Sequence, residues 1–168
     1  MLNMWERPKI KIPRTKSEWI WDVIGFTFYF GSLIFLMVIY NLLPEEVPVH
    51  YNAFGEVDRW GTKGELFVLP AVGAFIIIFL QLLEKFPQSH NYPERLNKTN
   101  AKEFYLHSRK LMNQFKNISL IILASILVES IFVAKAWSNG FGAWFLPLVV
   151  LIGLTPIVIG IIKQKKIN

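Results

Sequence analysis

Four long apolar runs constrain the fold of this chain more than any other feature. They cover Trp19–Leu43, Leu66–Leu83, Ile118–Ala136 and Phe141–Ile162. At a rise of about 1.5 Å per residue, helices of these lengths reach roughly 27–37 Å, which is enough to cross an apolar layer about 30 Å thick. A backbone inside lipid has no water to bond, so each run is expected to be helical. We therefore predict an all-α integral membrane protein with four transmembrane helices.

The distribution of basic residues predicts how these helices are oriented. The formal net charge is +6, and fifteen of the eighteen Lys and Arg residues fall in three segments: 1–18, 84–117 and 163–168. Because basic residues accumulate in cytoplasmic segments, we expect both termini inside and the first and third loops outside. Charge concentrated in this way indicates orientation in a membrane, not binding of nucleic acid.

The apolar runs and their connections predict a single membrane domain over residues 1–168. Its segments are a cytoplasmic basic arm (1–18), a first span (19–43), an outer cap loop (44–65), a second span (66–83), a cytoplasmic loop with an amphipathic helix (84–117), a third span (118–136), a fourth span (141–162) and a cytoplasmic tail (163–168). The first span is too long for a cleavable signal, so we expect it to stay as an anchor. The chain has no cysteine, which excludes disulfides and thiolate ligands.

The first loop is longer and more ordered in composition than a connector requires. Val47, Val49 and Tyr51 alternate with polar positions that include His50 and Asn52, which is the period-two pattern of a strand. Turn positions follow at Gly55, Gly61 and Gly64. We therefore predict a small extracytoplasmic strand and turn cap between the first two helices.

The second loop ends in a segment with helical character. Asn100 followed by Glu103 has the spacing of a capping box. Beyond it, apolar residues form a rough stripe at Phe104, Tyr105, Leu111, Met112 and Phe115. We expect this helix to run without a break into the third span. The helix could be solvated or lie against the inner surface of the membrane, or it could dock a cytoplasmic regulator.

Glu129 is the most unusual single residue of the third span. It lies about seven residues, or roughly 10 Å, from the outer end of that run. A charge within a membrane helix costs a few kcal/mol and is rarely without a role. Ion pairs with Lys63 or Lys135 and bonds to His50 or Asn41 are all possible. A polar clamp between helices and a ligand, ion or proton site both stay open.

We expect the cap and Glu129 to form one polar site. His50, Asn52, Glu56, Asp58, Lys63 and Glu129 are the candidate ligand-binding residues, and no residue is a candidate for catalysis. The expected ligand is a peptide or a lipid-like molecule. A metal is less expected, because catalytic zinc usually has three protein ligands and His50 is the only plausible outer histidine. The alternatives are a membrane-embedded metal-dependent hydrolase at the outer leaflet and an accessory subunit of another membrane protein.

The order of residues in the first loop also carries a resemblance. Residues 43–63 read Leu-Pro-x-x-Val-Pro-x-His-Tyr-Asn-x-x-Gly-x-x-Asp-x-Trp-Gly-x-Lys, followed later by Asn91-Tyr92-Pro93. This pattern resembles a bacterial membrane domain of unknown function that also forms the N-terminal part of the Sdp immunity protein family. The resemblance covers about residues 20–115. By motif position, His50, Asn52, Gly55, Asp58 and Lys63 are the characteristic residues.

The resemblance implies a multi-pass protein of the bacterial plasma membrane. Its implied role is peptide immunity or envelope sensing. The implied partners are membrane lipids, a toxic peptide or envelope ligand outside, and a cytoplasmic regulator inside.

Overall fold

The computed structural model describes residues 6–167; the first five residues of the predicted arm and the last residue of the tail lie outside it. The elements are α1 (Lys16–Ile39), β1 (Glu46–Tyr51), β2 (Val57–Thr62), α2 (Val68–Lys85), α3 (Ala101–Ala134) and α4 (Phe145–Lys165). Short 3-10 turns lie at Tyr40–Leu42, Lys63–Phe67 and Pro87–Ser89. Within the described residues, four helical stretches are long and apolar enough to cross a membrane. This confirms a mostly helical fold with four helices long and apolar enough to span a membrane and a small two-stranded sheet, which supports a multi-pass membrane protein.

The first helix begins earlier than its apolar run because of a capping box. The Thr15 hydroxyl accepts the N–H of Glu18 at 3.4 Å, and the Glu18 carboxylate accepts the N–H of Thr15 at 2.7 Å. These bonds satisfy N–H groups that the first turn leaves without a helical partner. The helix therefore starts at Lys16, three residues before the predicted start at residue 19.

The longest helix, α3, is the centre of the bundle. Its 34 residues span about 51 Å, so it extends well beyond an apolar layer of about 30 Å. Helices α1, α2 and α4 pack mainly on α3 and hardly touch each other. Helix α1 lies close to α3 at Gly25, where an added Cβ atom would overlap the Asn117 side chain. Glycine is therefore required at this position for α1 to approach α3.

The predicted apolar stripe describes only the first turns of α3. Phe104 and Tyr105 are buried, but Phe115 is 40% exposed. The buried face continues instead through polar side chains at Arg109, Asn113, Lys116 and Asn117. Residues four positions apart share a helix face, so this polar row turns toward α1 and α2 while the apolar residues turn away. Beyond Tyr105 the apolar stripe is therefore not the buried face of α3, and its contact with lipid or a cytoplasmic regulator stays a prediction.

Strands β1 and β2 form an antiparallel hairpin that packs on the bundle. Glu46 pairs with Thr62 and Val47 with Gly61 before the register becomes irregular at His50. The Val47 side chain is fully buried in a hydrophobic cluster whose other buried members are Leu36, Ile39, Leu43, Leu66, Leu127 and Ile131. We call the end of the bundle that carries this hairpin and residues 135–144 the hairpin end.

The opposite end, which we call the charged end, comprises residues 6–15, residues 86–100 and the last turn of α4. The basic arm is folded onto this end, because Ile10 and Ile12 pack against a second cluster that includes Tyr92 and Phe104. Arg95 fixes the end of α4 through the carbonyl oxygens of residues 164 and 167, at 2.6 and 3.1 Å. Helix α4 is the least buried of the four, with Gly160 its one buried residue.

Candidate functional site

Asn52 shapes the turn of the hairpin. Its side-chain oxygen accepts the backbone N–H groups of Phe54 at 2.8 Å and Glu56 at 3.1 Å. Its amide nitrogen donates to the Glu56 carboxylate at 3.0 Å. Asparagine stabilises turns through such bonds to the backbone that follows it. Asn52 and Glu56 thus hold the loop that carries Gly55.

Gly55 joins the hairpin to the loop between α3 and α4. It has a φ of 73°, and its carbonyl accepts the N–H of Phe141 at 3.2 Å. An added Cβ atom would lie 2.4 Å from the carbonyl oxygen of Gly142. The facing residues Gly140 and Gly142 also have positive φ values, 107° and 73°. Glycines are required here because two backbones touch in conformations that side chains disfavour.

The other motif residues form polar side-chain pairs on the surface of the hairpin. His50 Nδ1 lies 2.6 Å from Asp58 Oδ1, and both side chains are exposed. Lys63 donates to Glu45 at 2.9 Å and lies 5.4 Å from the centre of the Tyr40 ring. Exposed pairs of this kind contribute about 1 kcal/mol or less. They therefore display polar groups more than they stabilise the fold.

Tyr51 connects the hairpin to α3 beside Glu129. Its hydroxyl lies 3.3 Å from the Ser130 hydroxyl, and its ring packs edge-on against Phe141 with centroids 5.3 Å apart. Burial raises the pKa of the Tyr51 hydroxyl above its ordinary value. The inward side chains of β1 therefore hold the hairpin on α3, while His50 lies on the opposite strand face.

Glu129 is bonded to a serine and not to a basic residue. Its carboxylate accepts a short hydrogen bond from Ser138, whose oxygen also accepts the N–H of Gly140 at 3.3 Å. Of the partners expected from the sequence, Lys63 binds Glu45 and Lys135 binds the Leu42 carbonyl at 3.1 Å. Within residues 6–167, Glu129 has no ion-pair partner.

Glu129 and Ser138 line a groove of about 910 Å³, which we call the Glu129 groove. It lies between α1 and α3 under the α3–α4 loop. Its other lining residues are Thr27, Phe28, Gly31, Ser32, Phe35, Ala124, Ser125, Val128, Phe132, Gly140, Phe141 and Trp144. The Ser32 and Ser125 hydroxyls donate to carbonyls of their own helices, at 2.8 and 2.9 Å. The Glu129 carboxylate is thus the main polar group of an apolar groove. Its oxygens can accept further hydrogen bonds besides the one from Ser138.

The structure divides the six predicted ligand-binding residues between two places. Glu129 lies in the groove, and His50, Asn52, Glu56, Asp58 and Lys63 lie on the hairpin and do not line it. In the part of the chain that the structure describes, no three His, Asp or Glu side chains lie close enough to hold a metal ion. The roles of all six residues in ligand binding stay predictions.

The sequence interpretation missed a buried ionic cluster at the charged end. Lys116 Nζ lies 3.0 Å from Asp22 and 2.7 Å from Glu84, and Arg14 binds the same two carboxylates at 2.7 and 2.8 Å. Glu18 is paired with Arg109 at 2.6 Å. Three carboxylates thus face three cations from four segments of the chain.

Two asparagines complete the cluster. Asn113 and Asn117 donate to Asp22 at 2.8 and 2.9 Å. Buried ions stabilise a fold only when pairing and hydrogen bonds offset the loss of hydration. The polar residues at 109, 113 and 117 recur every four positions, so their helical spacing is the signal that could have identified the cluster.

Part of the chain is similar to a family of domains and to an archaeal protein. Residues 27–74 match the family model described as a domain of unknown function (DUF1648). This segment contains most of α1, the hairpin and the start of α2. The chain is also 29% identical, over 115 residues, to an uncharacterised protein of Archaeoglobus fulgidus.

The aligned region is 62% of this chain and spans about 60% of the length of that curated relative. No solved structure matches the chain. These similarities support a relationship to the domain of unknown function. The relationship to the Sdp immunity proteins stays a prediction.

Proposed function

We propose that this chain is a membrane-embedded binding protein that takes an amphipathic peptide or lipid-like ligand into the Glu129 groove. The observation that carries the proposal is a single carboxylate in an apolar groove of about 910 Å³. Ligand pockets commonly have volumes of about 300–1,000 Å³, apolar walls and a few placed polar groups. The groove has each of these properties.

The chemistry of Glu129 points to a ligand with a hydrogen-bond donor or a positive charge. A carboxylate among apolar residues costs several kcal/mol unless it is paired. Ser138 supplies one hydrogen bond and no charge. An ammonium or guanidinium group at the end of an apolar chain would supply both. A basic peptide side chain or an amine headgroup fits this requirement.

The hairpin would meet such a ligand before the groove does. It exposes Phe54 and Trp60, which are 65% and 51% accessible, beside the His50–Asp58 pair. Aromatic residues of this kind favour the boundary between lipid and water. The concentration of basic residues at the charged end supports placing the hairpin outside the cell and the charged end in the cytoplasm.

The biological role that follows is immunity to a toxic peptide or sensing of an envelope ligand in the plasma membrane. In this role a cytoplasmic regulator would contact the charged end. The alternative of a metal-dependent hydrolase has less support, because among residues 6–167 the one carboxylate beside His50 is that of Asp58. An accessory subunit would use the weakly packed α4, but lipid alone would also cover that helix.

The first test measures binding of a fluorescent dodecylammonium probe to the purified protein in neutral detergent. Glu129→Gln removes the charge, and Glu46→Gln, at the exposed start of β1, is the control. A charged hydrogen bond contributes about 1.5–3 kcal/mol, so Glu129→Gln should weaken binding roughly ten- to hundredfold. Equal binding by both variants would exclude Glu129 as the recognition group.

A second pair of variants tests the groove itself. An added Cβ atom at Gly31 meets no atom within 4 Å, so Gly31→Leu should fill the groove without displacing its walls. Gly153 on α4 is equally free of neighbours and does not line the groove, so Gly153→Leu is the matched control. We expect Gly31→Leu to abolish probe binding and Gly153→Leu to preserve it. Binding that survives in Gly31→Leu would place the site elsewhere.

A further inference from the structure

A second cavity, of about 810 Å³, lies between α3 and α4 toward the charged end. We call it the α3–α4 cleft. Trp21 of α1 borders it, and it shares no lining residue with the Glu129 groove. It is therefore a separate site on the molecule and is independent of the function proposed above.

The cleft has an apolar part and a basic part. Its apolar walls come from α3 and α4 and include Leu111, Ile118, Leu151, Ile152 and Ile159. At its charged end the lining includes Lys110, Lys163 and Lys166. A ligand that fills the whole cleft must therefore carry an apolar chain and an anionic group.

The three lysines of the cleft lack carboxylate partners. Within residues 6–167, no Asp or Glu forms an ion pair with any of them. This differs from the buried ionic cluster, in which Lys116 contacts both Asp22 and Glu84. One carboxylate, Glu103, also lines the cleft, so the basic groups outnumber it. The charge of the cleft is complementary to an anion.

We propose that the α3–α4 cleft binds an anionic phospholipid. The lipid phosphate lies among Lys110, Lys163 and Lys166, and an acyl chain lies along the apolar walls. Basic pockets between membrane helices recognise anionic headgroups, and each basic residue contributes about 1 kcal/mol near an anionic membrane surface. A free phosphate would match the lysines but would leave the apolar walls without a partner.

The same lipid would fix the position of α4. This helix packs mainly on α3, with a tight contact at Gly160, where an added Cβ atom would lie 3.2 Å from the Leu111 side chain. The remaining space between the two helices is the cleft. An acyl chain in this space supplies the van der Waals contacts that the side chains do not make.

The test measures how much lipid stays on the protein after release from nanodiscs of equimolar phosphatidylcholine and phosphatidylglycerol, by native mass spectrometry. The cleft variant combines Lys110→Gln, Lys163→Gln and Lys166→Gln. The matched control combines Lys9→Gln, Lys98→Gln and Lys102→Gln, which removes the same charge from exposed positions outside the cleft. Size-exclusion chromatography checks that both variants are folded.

We expect the cleft variant to hold phosphatidylglycerol about a hundredfold more weakly, and the control to hold it like the unaltered protein. Excess inorganic phosphate should not displace the lipid. Equal retention by the two variants overturns the proposal, and displacement by phosphate assigns the lysines to a free anion. If the triple variant does not fold, Lys163→Glu replaces it. This residue lies on the exposed last turn of α4, and the variant should also retain less phosphatidylglycerol than the unaltered protein.

Discussion

The Arg109 guanidinium is bound at two points by the Glu18 carboxylate, with Nε 2.6 Å from Oε1 and Nη2 3.0 Å from Oε2. Its remaining N–H groups donate to the carbonyls of Ile12 and Pro13, at 2.6 and 2.8 Å. One side chain of α3 therefore holds both the first turn of α1 and the end of the basic arm. The planar guanidinium makes this possible, since it offers five donors in a rigid geometry.

Replacing Arg109 should expose how much of the stability depends on this pair. Arg109→Met leaves the Glu18 carboxylate, which is 1% exposed, without its cation. Breaking a buried pair in this way costs about 3–5 kcal/mol, measured as a lower free energy of unfolding in detergent. The double variant Glu18→Met/Arg109→Met should recover much of that loss because no charge stays unpaired. A double variant no more stable than Arg109→Met would contradict this interpretation.

Gly55→Ala should separate the hairpin from the α3–α4 loop. The added methyl group would lie 2.4 Å from the Gly142 carbonyl oxygen, in a residue with a φ of 73°. We expect a loss of about 1–3 kcal/mol and faster hydrogen exchange over residues 138–144. Gly64→Ala is the control, because its nearest atom would be Thr62 Oγ1 at 3.9 Å. Unchanged exchange in Gly55→Ala would mean that the docking contact is weaker than its geometry indicates.

The charged end should lose stability as the pH falls below about 6.5, because of His90. This ring lies 2.7 Å from the Ser108 hydroxyl and 2.9 Å from the Leu83 carbonyl oxygen, and burial lowers its pKa below the ordinary 6.5. The unfolded chain therefore takes up a proton that the folded chain accepts only at lower pH, so unfolding becomes easier through this window. The stability that the neutral His90 ring contributes is fully present above about pH 6.5 and is lost as the pH falls below this value.

Thermal unfolding at about pH 7.5 and pH 5.5 checks this prediction. His90→Gln should reduce the difference between the two midpoints. The same difference in the variant and the unaltered protein would show that His90 is not the titrating group.

The proposed orientation predicts opposite labelling of two engineered cysteines. The chain contains no cysteine of its own, so Ala53→Cys at the hairpin turn and Lys98→Cys at the charged end each give a single reactive site. In intact cells, a membrane-impermeant maleimide should label only Ala53→Cys. Lys98→Cys should react after the cells are permeabilised. The reverse pattern would invert the orientation.

The four helices and the hairpin could be predicted because their signals are local. An apolar run long enough to cross lipid has few alternatives to a helix. Alternating side chains from Val47 to Tyr51, followed by turn glycines, leave few alternatives to a hairpin. In both cases the residues that decide the structure are neighbours in the chain.

The contacts between distant segments could not be predicted in the same way. Glu18 and Arg109 each look like an ordinary charge at the edge of a span, and nothing local shows that they face each other across 91 positions. The sequence left Lys63, Lys135, His50 and Asn41 open as partners of Glu129, but the course of the α3–α4 loop brings Ser138 to it instead. Partner choice depends on how the helices pack, which a single sequence does not specify.

The separation of Glu18 from Arg109 also has a consequence for biosynthesis. The ribosome adds Glu18 and Asp22 about ninety residues before it adds their partners Arg109 and Lys116. The nascent first helix must therefore enter the bilayer with two acidic groups that have no cation of α3 beside them. Its final depth, and the folding of the basic arm over it, are completed only after the third helix has been synthesised. Helix α1 is therefore made before α3 but reaches its final position only after it.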